Sequence, residues 1–74
     1  MPPEFFSSTD EIDAEIAKCP ADGPPHIYIL KFSSAFFEVG TFGAGGAVGM
    51  ANRETMTEAE ELATQLANII SDSK

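Results

Sequence analysis

A chain of 74 residues, 43% hydrophobic, with twelve acids against four bases and a net charge of -8, is long enough for one small domain spanning 1–74. It is too short to combine a buried pocket with a full catalytic constellation. The apolar fraction excludes a disordered acidic tail. The acidity argues against direct contact with nucleic acid or an anionic membrane, both of which need a basic footprint, and favours a basic protein partner.

Met1-Pro2-Pro3-Glu4 lacks the positive and apolar regions of a secretory signal, so none is expected. After a short lead over 1–7, "SSTDEIDAEIAKCP" predicts a helix. Ser8 and Glu11 have the spacing of a capping box. Ile12, Ile16 and Cys19 form one apolar stripe, with Asp10, Glu11, Asp13 and Glu15 off it. The acids of the first turn suit the positive end of the helix dipole. Pro20 disfavours helical dihedrals at Cys19 and ends the helix near there, while Phe6 is placed to staple back onto Ile12. Cys19 is the lone cysteine, so no internal disulfide or CxxC motif exists. It reads as a small buried hydrophobe in a reducing, cytoplasmic setting.

"PADGPP", 20–25, is a turn that delivers the chain in extended form. "HIYILKF", 26–32, predicts a strand with His26, Tyr28, Leu30 and Phe32 on one face and Ile27, Ile29 and Lys31 on the other. A reversal at Ser33-Ser34 leads to a second strand, "AFFEVGTF", 35–42. "GAGG", 43–46, predicts a second hairpin turn, and "AVGMAN", 47–52, a third strand. Ala47, Gly49 and Ala51 make one face of it thin enough for a close neighbour. "TMTEAEELATQLANIIS" is the strongest helix. Thr55/Glu58 and Thr57/Glu60 both have capping-box spacing, and Ala59, Leu62, Ala63, Leu66, Ile69 and Ile70 form its apolar stripe. Glu58, Glu61, Gln65, Asn68 and Asp72 lie opposite, and 71–74 should fray. The expected fold is α+β in the order α-β-β-β-α: a three-stranded antiparallel meander with both amphipathic helices on one face. The other sheet face would then expose large apolar groups, which a second copy or a partner protein would cover.

Several chemistries are disfavoured. Gly43-Ala44-Gly45 opens a GxGxxG that breaks at Val48. No helix follows until about Thr55, and no base lies between Lys31 and Arg53 to meet a phosphate. The glycines therefore read as turn and close-packing residues, with Gly49 the place where a neighbour presses in. His26 has no assignable orienting acid, so no catalytic residue is named. Asp10, Asp13 and Asp22-Gly23 lack calcium-loop spacing, and neither a metal nor a cofactor is expected. The stretch 27–51 carries Lys31 and Glu38, each costing about 2.5–3.5 kcal/mol in a membrane, so a spanning helix is disfavoured. A membrane-associated chain is the third reading of function.

The leading reading rests on the acids. Glu11, Asp13 and Glu15 form one row, Glu58 and Glu61 a second. Carboxylates at i, i+3 or i+4 sit about 5–6 Å apart at Cβ, loosely like phosphates along a strand. A rigid display of this kind suits a non-enzymatic inhibitor that occupies the basic nucleic-acid-binding surface of a target protein. In size and acidity the chain resembles the small inhibitors that phages make against bacterial defence systems, including anti-CRISPR proteins. That likeness is one of whole-chain character, carried by no motif. In the alternative, Tyr28, Phe36, Phe37 and Phe42 form an apolar interface of a homodimer, and the acids only solubilise and cap the helices.

Overall fold

The computed structural model describes residues 3–72, the last two by backbone alone. The elements are β1 (Glu4–Phe6), α1 (Thr9–Ile16), β2 (His26–Ser33), β3 (Phe36–Gly43), β4 (Gly46–Arg53) and α2 (Met56–Asp72). They build an α+β fold around a four-stranded mixed sheet in the order β1-β2-β3-β4. Strands β2, β3 and β4 are the expected antiparallel meander. The added strand β1 runs parallel to β2, with Glu4 beside Tyr28 and Phe6 beside Leu30. A parallel neighbour needs a crossover connection, and α1 with the turn after it supplies that connection.

The helices do not share a face, which corrects the expected layout. Ile12 of α1 packs with Phe6, Tyr28, Leu30 and Phe42, joined by Ile16 and Cys19. Ala59 and Ala63 of α2 pack with Ile27, Ile29, Phe37 and Val39, joined by Met56, Leu62, Leu66 and Ile70. Successive residues of a strand point to opposite faces, so these are two cores on the two sides of one sheet. Each apolar face of β2 has its own helix, and Ile27 to Leu30 are all buried. The fully bare apolar face expected above is therefore absent. Among the described residues the large exposed hydrophobics are Phe5, Phe32, Phe36, Val48, Met50 and Ile69.

Local chemistry fixes the element ends. Ser8 is the N-cap of α1, its hydroxyl accepting from the Glu11 N–H at 3.4 Å. Glu11 closes the turn by accepting from the Ser7 N–H at 3.1 Å, one residue upstream of the usual capping-box donor. At α2 the structure selects Thr55: its hydroxyl accepts from the Glu58 N–H at 3.2 Å and donates to the Glu58 carboxylate at 3.0 Å. The first hairpin turns at Ser34-Ala35, one residue later than expected. There the Ser33 hydroxyl accepts from the Ala35 N–H at 3.3 Å. An extra residue between Lys31 and Ser33 shifts the register at that point. The second hairpin closes at Gly46, whose φ of 122° is open to glycine alone. The expected fraying over 71–74 falls in part outside the described residues; α2 is continuous to Asp72.

Candidate functional site

The two acidic rows lie on opposite sides of the sheet, because α1 and α2 do. They form two separate surfaces. On α1 the row is largely committed to its own chain. Glu11 accepts from the Ser7 backbone, and Glu15 pairs with Lys18 at 3.2 Å. Asp13 is exposed.

On α2 the row is more open. Glu58 and Glu61 line a shallow hollow with Arg53, Leu62 and Gln65. A neighbouring hollow is lined by Ala35, Phe36, Asn52, Arg53 and Glu54. The Arg53 guanidinium donates to the Asn52 carbonyl at 2.7 Å. Among the described residues the ion pairs within 4 Å are Lys18–Glu15 and His26–Glu4, so no cation closes on Glu54, Glu58, Glu60 or Glu61. Beneath them Ala59 and Ala63 are fully buried, seating this stretch of α2 firmly on the sheet.

The aromatic set divides between the two cores. Tyr28 and Phe42 belong to the α1 side, Phe37 to the α2 side, and all three are buried. Phe36 alone among them is exposed, at 42%. It meets Phe32 edge to face, with ring centroids 5.3 Å apart.

A polar constellation on the α1 side was not foreseen. Gly40 lies between Tyr28 on β2 and Gly49 on β4 in the sheet register, which leaves a gap in that face. The Tyr28 ring and hydroxyl lie over Gly40, 2.8 Å from where a side chain would begin, and the Glu38 carboxylate folds over Gly49. Burial and the hydrogen-bonded Glu38 carboxylate push the Tyr28 phenol up to about 12. The thin face has a second use: α1 approaches β4 within 8 Å, Cα to Cα. The glycine spacing was visible in the sequence, but the cross-strand register that sets Tyr28 and Glu38 against it was not.

His26 is likewise engaged. Its ring stacks on Phe42 at 5.1 Å, and its Nδ1 lies 3.5 Å from a Glu4 carboxylate oxygen on β1. The Cys19 thiol donates to the Glu15 carbonyl at 3.3 Å. Among the described residues, no three His, Cys, Asp or Glu side chains are grouped to hold a metal ion, and no helix is long and apolar enough to cross a membrane.

No protein-family model, curated protein or solved structure matches the chain.

Proposed function

We propose that the chain is a non-enzymatic, acidic protein-binding module that docks through the first turns of α2 on a basic surface of another protein. In its sharp form it is an inhibitor that occupies a nucleic-acid-binding site. The observation that carries this reading is the pair of exposed acids Glu58 and Glu61 on one side of the first turns of α2, with no cation within 4 Å among the described residues, on a helix whose buried side is anchored. Unpaired surface carboxylates are fully available to an incoming cation, and their summed field accelerates encounter with a basic partner. The α1 row contributes to the field more than to the contact, because Glu15 is already neutralised by Lys18.

The test is affinity capture from lysate of the source cell with the wild-type chain and a Glu58→Lys/Glu61→Lys variant. The wild type should retain a nucleic-acid-binding protein, with retention falling steeply between about 50 and 200 mM salt. The variant should lose it while keeping its fold. Equal, salt-insensitive capture by both contradicts the reading.

A second reading has a specific observation in its favour. Phe32 and Phe36 remain exposed as a contacting pair at the end of the sheet, where a homodimer or an apolar partner would gain most from contact. Phe36→Asp would then abolish binding where the acid reversals do not.

A further inference from the structure

The sheet has two edges, and they are protected differently. At one end β1 is three residues long and follows directly on Pro3. Short strands and prolines are common guards against unwanted strand pairing. At the other end β4 runs eight residues, GAVGMANR, with no proline, lysine or acid. Its guards are the register shift opposite Val39/Gly40 and the charge of Arg53 at its last position. An edge strand turns alternate N–H and C=O groups outwards, free to accept another strand. Val48 and Met50 on this edge are 61% and 55% exposed, ready to act as cross-strand partners for apolar side chains.

We propose that the β4 edge takes up an extended, basic segment of the target by strand addition. The ladder to β4 would supply backbone hydrogen bonds, and the α2 flank would select the charge. This rests on the reading of that flank as the contact for a basic partner. The geometry ties the two together. Arg53, the last residue of β4, lines the hollow together with Glu58, Glu61, Leu62 and Gln65 of α2, so the hollow lies at that end of the β4 edge. Arg53 and Val48 pair with Phe37 and Thr41 respectively, on the α2 side of the sheet. A strand added beside β4 would therefore bring its side chains on that face to the Arg53 end of the edge, where Glu58 and Glu61 line the same hollow. Its side chains on that face repeat at about 6.6–6.8 Å, close to the roughly 5–6 Å Cβ spacing of Glu58 and Glu61. Lysine or arginine at alternate positions matches both acids, which outweigh the single charge of Arg53. A second copy is a poorer occupant. Antiparallel pairing of two β4 edges about a twofold axis normal to the sheet puts both α2 helices on the same face, acidic flank against acidic flank. Each chain also brings a net charge of -8.

The experiment uses the full chain, isotope-labelled, and three peptides as long as β4. One alternates Lys and Val; the second is the same peptide N-methylated at alternate backbone positions; the third alternates Lys and Pro and carries equal charge. The Lys/Val peptide should bind and slow amide exchange at 46–53, and the other two should bind at least about tenfold more weakly. Val48→Lys, which leaves the backbone intact, and Glu58→Lys/Glu61→Lys should each weaken the Lys/Val peptide by a similar factor; the acid double variant loses the Thr55–Glu58 cap and some thermal stability but keeps its fold. If all three peptides bind alike and lose affinity together on Glu58→Lys/Glu61→Lys, charge alone binds them. The strand-addition proposal then falls while the acidic reading survives. Indifference of every peptide to the acid reversals overturns both. A concentration-dependent dimer that already protects 46–53 assigns the edge to a second copy and overturns the proposal, as does failure of the Lys/Val peptide to bind.

Discussion

Tyr28 shows what a single side chain does when the backbone opposite is bare. Gly40 gives its ring a seat, and burial together with the Glu38 carboxylate, which accepts from the hydroxyl, favours the protonated phenol. The folded state therefore holds the phenol proton more tightly than the unfolded chain, raising its pKa from 10.0 to about 12. A group raised in this way contributes stability that is fully present below pH 10 and is lost as pH climbs from about 10 through about 12. Tyr28 is the only tyrosine, so phenolate absorbance reads this group alone. Its titration midpoint should lie near 12 in the folded protein, and a midpoint near 10 would contradict the constellation. Tyr28→Phe should remove this component of alkaline destabilisation. The two glycines separate by what a methyl group meets. At Gly40 it runs into the Val48 backbone carbonyl and the Tyr28 ring, whereas at Gly49 it meets only the movable end of Glu38. Denaturant titration should show Gly40→Ala costing about 1–3 kcal/mol, the usual range for overpacking, and Gly49→Ala distinctly less.

At the scale of elements, the caps and the alternation were legible because they are local. Ser8 and Glu11, the Ile12–Ile16 stripe, and the two-sided β2 all follow from spacing alone. Two capping boxes competed at the start of α2, and the structure uses Thr55. Thr55→Ala should therefore cost about 1 kcal/mol, as loss of an N-cap does. Thr57→Ala, an exposed change away from the cap, should stay within about 0.5 kcal/mol. Thermal unfolding of the two variants side by side decides this. Strand β1 was not legible. Three residues, EFF, are too few to show a period, and their partner lies more than twenty positions downstream. Without β1 there was no parallel pair, no crossover, and no reason to separate the helices. The error in helix placement is thus one missing short strand propagated through topology. In the core itself, Ile27 is fully buried, and Ile27→Ala should cost about 2–5 kcal/mol.

For the whole molecule, placing one helix on each side of the sheet changes which surfaces can act. The acids that look like one crowded set in the sequence are split, and those of α1 are mostly satisfied by their own chain. Three of the four aromatics that looked like an interface are core. The positions of Glu58 and Glu61 on the solvated side of α2 were readable from helical periodicity, but their neighbourhood with Arg53 and the β4 edge is a product of tertiary packing. The surface proposed for contact is then the first turns of α2, with Glu58 and Glu61, next to the Arg53 end of the β4 edge. The most direct measurement is displacement: the nucleic-acid-binding protein captured by the wild-type chain is loaded with labelled nucleic acid and titrated with the chain. The account predicts competitive release by the wild type and none by Glu58→Lys/Glu61→Lys. Release by both alike, or a stable ternary complex of target, nucleic acid and chain, would contradict it.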